Sequence, residues 1–166
     1  MLIVYCSAGG STRRYAEMLA ARTGGAAIPV AQADEAVLRG ADRVVFATHL
    51  RAGQPASFRF LTRFWPLLRE KRCVLLVVGL SPSLAASGWD AFAARAMTGE
   101  QRRELRVFYL RGAYDPRAHG PLTRLLMRAL SAAVSRQGDA SMAHALREGA
   151  DYVSEDALTA LVDYLR

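Results

Sequence analysis

The sequence has few of the features that mark secreted, metal-binding or membrane-spanning proteins. Only two of its 166 residues are cysteines, Cys6 and Cys73, and neither lies in a C-x-x-C pair or a His-rich cluster that would suggest a metal site. Its longest dense apolar run, residues 74–80, is too short to span a bilayer. Met1 leads directly into an apolar, strand-like segment. We therefore expect no signal peptide, no metal, and a cytoplasmic protein with reduced cysteines in its core.

Lysine is almost absent, because Lys71 is the only one and arginine supplies the rest of the net charge of +7. Between residues 101 and 136 there are eight arginines against Glu104 and Asp115, whereas residues 137–166 contain two arginines against six acids. A basic segment suits nucleic acid, anionic lipid or an acidic ligand, and it also suits a plain solvated surface. Basic and aromatic residues do not alternate as they do in single-strand binders, so we expect no nucleic-acid partner.

What the sequence does contain is an alternation of apolar strand-like and helical segments. The predicted strands are residues 2–6, 26–30, 42–48, 72–80 and 106–112. The predicted helices are residues 12–23, 57–70, 88–105, 121–137 and 154–166, with a short helical turn at 34–38. Continuously apolar strands separated by helices predict a parallel sheet that is covered on both faces. The length and the lack of a linker predict a single α/β domain over residues 1–166.

In an open sheet of this kind, ligands bind beyond the carboxyl ends of the strands. That rule selects a first loop (6–12), a second loop (48–55) and a third loop (79–88). The first loop reads C-S-A-G-G-S-T and leads into a helix. The small side chains let the backbone N–H groups of the loop converge, and its hydroxyls add further donors. The positive end of the following helix also points at the loop. The loop is therefore suited to binding a phosphate. The alternative is an ordinary strand-to-helix turn in which a hydroxyl caps the helix, since neither the P-loop nor the G-x-G-x-x-G pattern is present.

The stretch "YCSAGGSTRRYAEMLA", residues 5–20, resembles the phosphate loop of the flavodoxin family, in which a strand is followed by Thr/Ser-x-x-Gly-x-Thr and then a helix. Ser7, Gly10 and Thr12 occupy the matching positions. Gly9 departs from the pattern, because many flavodoxins place another hydroxyl there. The resemblance implies a flavodoxin-like fold: a doubly wound, five-stranded parallel sheet of order 2-1-3-4-5 with helices on both faces.

Within that family the chain looks most similar to the group related to menaquinone-dependent protoporphyrinogen oxidase. The segment "FYLRGAYDPRAHGPLTRLLMRAL", residues 108–130, and the closing helix carry this similarity. It implies an FMN-dependent oxidoreductase that acts on a small molecule such as a porphyrinogen or passes electrons to a quinone. Because the flavin would do the redox chemistry, we assign no catalytic acid, base or nucleophile.

Two other functions remain open. One is an ordinary electron-shuttle flavodoxin, although such shuttles tend to be acidic and this chain is basic. The other is a flavodoxin-like module without cofactor that acts as a binding or regulatory domain, for which Gly9 and the few aromatic residues leave room.

The resemblance also implies where FMN would lie, with its phosphate on the first loop and its isoalloxazine ring between the second and third loops. The implied FMN-binding residues are Ser7, Ala8, Gly9, Gly10, Ser11, Thr12, His49, Leu50, Arg51, Ala52, Gly53, Gly79, Leu80, Ser81 and Trp89. His49 and Trp89 are the rings available for stacking, and Arg51 would place positive charge beside the flavin. The alternatives are a core position for Trp89 and plain surface positions for His49 and Arg51.

The basic helix predicted at 121–137 has two distinct stripes. Arg117, Arg124 and Arg128 share one stripe with two serines, and the leucines lie opposite. The pattern predicts that the leucines cover the sheet and the arginines face solvent. The alternative is a basic surface that contacts anionic lipid, which would place the protein at the inner face of the membrane.

Overall fold

Five parallel strands form the central sheet of the computed structural model, which describes residues 1–51, 54–80 and 91–166. In chain order the strands are β1 (Leu2–Cys6), β2 (Ala26–Pro29), β3 (Arg43–Arg51), β4 (Gln54–Pro55), β5 (Arg72–Gly79) and β6 (Arg106–Arg111). The order across the sheet is β2-β1-β3-β5-β6, with β4 antiparallel to the end of β3. Without the short β4, this is the predicted order 2-1-3-4-5, so the fold prediction is confirmed.

Helices and a second small sheet surround the central sheet. The helices are α1 (Ser11–Thr23), α2 (Glu35–Arg39), α3 (Phe58–Leu68), α4 (described over 91–96), α5 (Gly99–Glu104), α6 (Pro121–Arg136), α7 (Ala140–Glu148) and α8 (Thr159–Leu165). An antiparallel pair, β7 (Ala113–Tyr114) and β8 (Ala150–Asp151), joins the chain after β6 to the chain after α7.

The core consists of two apolar layers, one on each face of the sheet. Val44 and Phe46 of β3 belong to the layer that contains Leu61 of α3. Val45 of β3 belongs to the opposite layer, with Leu19 of α1 and residues of α8. Successive residues of a strand point to opposite faces, so a strand covered on both sides must be apolar throughout. This explains the continuous apolar runs in the sequence.

Two predicted segments differ from the structure near the carboxyl edge of the sheet. The second loop is a hairpin, because β3 continues to Arg51 and β4 pairs back onto it. The helix predicted at 88–105 is interrupted within its described part, since α5 begins anew after Thr98. The Thr98 hydroxyl accepts the Gln101 N–H (3.1 Å), and the Gln101 side chain accepts the Thr98 N–H (2.9 Å), which forms a capping box.

The prediction that the α6 leucines cover the sheet is wrong. Leu122, Leu125 and Leu126 are 80%, 66% and 62% exposed, and the buried residues of α6 are Ser131 and Val134. Both faces of the sheet are already covered by other helices, so α6 packs instead on α7, which lies outside the predicted helices.

Candidate functional site

The first loop makes a tight turn between β1 and α1. Gly10 occupies the cap position of α1 with a φ of 88°, in the left-handed region that favours glycine. Its N–H donates to the Ser7 hydroxyl oxygen (3.2 Å), and its carbonyl accepts the Arg14 N–H (2.9 Å). These bonds turn the chain within a few residues and bring the start of α1 to the carboxyl edge of the sheet.

A buried hydroxyl without a partner lies in the first turn of α1. Thr12 is 1% exposed, and its Oγ1 has no hydrogen-bond partner within the described part of the chain. A Cβ built at Gly9 or Gly10 would meet no atom within 4 Å, so there is open space beside the loop. Leaving a buried hydroxyl unsatisfied costs about 1–3 kcal/mol, and native proteins rarely do so without a reason such as a ligand.

The end of β6 packs directly against the start of α1. A Cβ at Gly112 would lie 2.9 Å from Val78 Cγ1 and 3.0 Å from Ser11 Oγ, so only glycine fits there without a shift. The Gly112 N–H donates to the Gly79 carbonyl (2.8 Å), which ties this residue to the end of β5. Gly112 thus sets how closely the first and third loops approach each other.

The second loop is fastened to the end of β1. The Nδ1 atom of the half-buried His49 lies 3.1 Å from the Cys6 carbonyl oxygen. A carbonyl only accepts, so this bond places the hydrogen of the neutral ring on Nδ1 and leaves Nε2 as an acceptor. The Thr48 hydroxyl donates to the Ala56 carbonyl (2.6 Å), and Cys6 Sγ lies 3.2 Å from Ser57 Oγ.

The start of the third loop is held by side chains of β6. A Cβ at Gly79 would collide with the Tyr109 hydroxyl and lie 3.0 Å from Leu50 Cδ1. Arg111 donates from Nε to the Leu80 carbonyl (3.2 Å) and from Nη2 to Ser141 Oγ (2.8 Å). Its guanidinium carbon also lies 3.4 Å from the centre of the Tyr152 ring. Arg111 therefore joins the third loop to α7 and to the chain after β8.

Tyr15 connects α1 with this same region. Its side chain is fully buried, and its hydroxyl donates to the Arg111 carbonyl at 2.8 Å. Burial raises the pKa of Tyr15 above its ordinary value. Tyr15 therefore stays a neutral donor and fixes α1 against the end of β6.

The structure gathers many of the predicted site residues at one edge. Strand register places Cys6 beside Thr48, His49 beside Val78 and Gly79 beside Arg111, so the three loops leave the sheet together. Arg51 is exposed and pairs with Gln54 across the hairpin, beyond that common edge. Ala52, Gly53, Ser81 and Trp89 lie outside the described residues.

Sequence reasoning missed three residues of this edge: Tyr109, Arg111 and Gly112. All three lie at the end of the predicted fifth strand, so the rule that selected the other loops could have found them. Among the described residues, no group of three or more His, Cys, Asp or Glu side chains could hold a metal ion. None of the described helices is both long and apolar enough to cross a bilayer.

The fold and this edge define a doubly wound α/β protein with a tight, glycine-containing turn between its first strand and first helix. A family model for the flavodoxin domain matches residues 2–141, which is most of the chain, and the chain therefore belongs to that family. No curated protein matches the sequence. A solved structure, described as "Streptococcus pneumonia TIGR4 flavodoxin: structural and biophysical characterization of a novel drug target", is 17% identical, with 64% of this chain and 77% of that chain covered and a TM-score of 0.43. The family assignment rests on the family model, and the fold on the strand order.

Proposed function

We propose that this chain is an FMN-binding oxidoreductase that holds the cofactor phosphate on the first loop. The observation that carries the proposal is the buried, unpartnered Thr12 hydroxyl beside the open space at Gly9 and Gly10. A phosphate oxygen is a strong acceptor for such a donor, and charge-assisted hydrogen bonds of this kind are about twice as strong as neutral ones. The residues present therefore fit a phosphate.

The start of α1 supplies further donors for the phosphate. The first N–H groups of any helix have no partner within the helix, and the helix dipole favours an anion there. The Gly10 N–H already donates to the Ser7 hydroxyl. The candidate donors to the phosphate are therefore the N–H groups that follow Gly10 and the hydroxyls of Ser11 and Thr12. Gly9 offers no hydroxyl, and at that position the backbone alone would contact the phosphate.

The second and third loops would hold the isoalloxazine ring, which supplies electron transfer to and from a substrate when FMN is bound. The bond from His49 to the Cys6 carbonyl fixes the imidazole at the common edge. Leu50 and Gly79 lie close together there, and the exposed Arg51 carries a positive charge beyond that edge. These residues would position the ring and exclude water from one side of it.

For the substrate, we propose a porphyrinogen or a quinone. The proposal is supported by the similarity of residues 108–130 to the protoporphyrinogen oxidase-related group and by the net charge of +7, which disfavours a shuttle that docks on basic partners. A menaquinone-linked assay with protoporphyrinogen tests it. Turnover supports the oxidase, whereas FMN binding without turnover favours the electron shuttle.

The cofactor is tested with the purified protein and two matched variants. We expect a flavin spectrum, with FMN released on denaturation. Thr12→Val should weaken FMN binding by about 1–3 kcal/mol, since a phosphate oxygen loses its donor. Thr23→Val is the control, because that threonine donates to the Leu19 carbonyl (2.6 Å) at the far end of the same helix. A colourless protein that also ignores added FMN would favour the module without cofactor.

A further inference from the structure

Helix α6 exposes an apolar face that other helices of similar length bury. Its leucine face consists of Leu122, Leu125, Leu126 and Leu130, which are 80%, 66%, 62% and 40% exposed. These are four of the six exposed large hydrophobic side chains found among the described residues. Large apolar side chains clustered on one exposed face commonly mark a binding surface.

The way α6 packs makes this face point away from the rest of the protein. Ser131 and Val134 are its buried residues, and the Ser131 hydroxyl donates to the Ala143 carbonyl of α7 at 2.7 Å. At 100° per residue, Ser131 lies opposite Leu122 on the helix. The seam with α7 therefore turns the leucine face toward solvent.

The charge of α6 indicates which kind of surface would bind the leucine face. Residues 121–136 contain Arg124, Arg128 and Arg136 and no acid. Arg128 and Arg136 are exposed and flank the leucine face at 100° per residue, whereas Arg124 lies on the side of Ser131 and Arg117 precedes the helix. A second copy of this chain would bring these like charges together, which costs affinity. An anionic surface is complementary to them.

We propose that α6 docks this protein on a bilayer that contains anionic lipid. An interfacial helix buries its apolar face at the boundary between headgroups and acyl chains, while arginines reach up to the lipid phosphates. Exposed leucines flanked by Arg128 and Arg136, on a helix that packs on α7, meet both requirements. The proposal concerns a different surface from the FMN site and holds with or without the cofactor.

Vesicle co-sedimentation of the full chain tests the proposal. The probes are vesicles of phosphatidylcholine alone and of phosphatidylcholine with an equal amount of phosphatidylglycerol. We expect binding to the anionic vesicles that weakens as salt is added, and about tenfold weaker binding to the neutral ones. No binding to the anionic vesicles at low salt would overturn the proposal.

Two variants separate the leucines from the arginines. L122Q/L125Q/L126Q keeps helix-forming residues and should reduce anionic vesicle binding by about tenfold or more at an unchanged melting temperature. R128Q/R136Q should do the same, whereas R102Q/R103Q, an equal loss of charge from exposed positions of α5, should have little effect.

The same variants distinguish other occupants of the leucine face. If sedimentation equilibrium shows a dimer that L122Q/L125Q/L126Q converts to monomer while vesicle binding is unchanged, the face joins two copies and the proposal is wrong. The proposal also fails if R102Q/R103Q reduces binding as much as R128Q/R136Q does, because the attraction is then a property of the whole basic protein.

Discussion

Helices α1 and α6 look alike in the sequence but have opposite surroundings in the structure. Each has apolar residues at helical spacing, yet α1 buries Tyr15, Ala16 and Leu19 completely, whereas α6 exposes Leu122 and Leu126. Helix α1 connects two parallel strands, and such a crossover must pack on the sheet. Helix α6 follows β6, which is the edge strand, and no further strand of the central sheet follows it among the described residues. Hydrophobic spacing thus identifies an apolar stripe but not what covers it.

The largest difference in stability between the two helices is expected when one leucine in each is shortened to alanine. Leu19→Ala should destabilise the protein by about 2–5 kcal/mol, because it leaves a cavity in a fully buried site. Leu126→Ala removes a side chain that is 62% exposed and should change stability by no more than about 0.5 kcal/mol. Urea denaturation of both variants gives the two values.

Similar losses in the two variants would contradict the assignment of opposite environments. A large loss at Leu126 alone would mean that α6 packs on the sheet after all. The slope of the unfolding free energy with denaturant should stay unchanged, so that the midpoints compare directly.

A smaller effect is expected where the first loop enters α1. Gly10→Ala should cost about 1–2 kcal/mol, since alanine is strained at the φ of 88° although no atom would clash with its Cβ. Gly9→Ala is the matched control, because its Cβ also meets open space and its φ lies outside the left-handed region. Thermal unfolding should show a lower Tm for Gly10→Ala only, and equal shifts would indicate that the turn is not set by Gly10.

The smallest effect concerns the ion pair that joins α1 to β8. Arg14 and Asp151 are 2.6 Å apart, and their side chains are 49% and 53% exposed. Partial burial disfavours the charged form of Asp151, but hydrogen bonds from Arg14 and from the Val153 N–H outweigh it and lower the pKa of the carboxyl below its ordinary 3.8. Asp151→Asn should therefore cost about 0.2–1 kcal/mol at neutral pH.

The sign of this pH dependence follows from the lowered pKa. The stabilisation is present above the ordinary carboxyl value and is lost as the pH falls through the folded-state pKa. The difference between the wild-type protein and Asp151→Asn should thus vanish in acid, and it should shrink in high salt. A difference that persists at pH 2 would show that the asparagine acts through something other than charge.

Much of the central fold could be predicted because its signals are local. The buried strands are apolar throughout, and Pro29 lies on an edge strand, as its missing N–H predicts. The break before α5 was missed because Thr98 and Gln101 cap each other inside a continuous helical pattern. The position of α6 depends on which faces of the sheet are already covered, and that is a property of the whole chain.

The candidate site also contains a part that the sequence predicts and a part that only the folded structure reveals. Residues 7–12 are adjacent in the sequence, so their small side chains reveal the turn directly. Arg111 and Gly112 act through contacts with Leu80, Ser141 and Ser11, which are distant in the sequence and adjacent only after folding. Sequence spacing alone does not reveal such contacts.

The central claim, that the first loop binds the phosphate of FMN, is tested most directly by comparing two ligands. Apo-protein is titrated with FMN and with riboflavin, which has the same ring system but no phosphate, and binding is followed by flavin fluorescence. We predict that FMN binds at least about tenfold more tightly, because riboflavin leaves the Thr12 hydroxyl and the N–H groups of α1 without their acceptor. Equal affinity for the two ligands would contradict the claim.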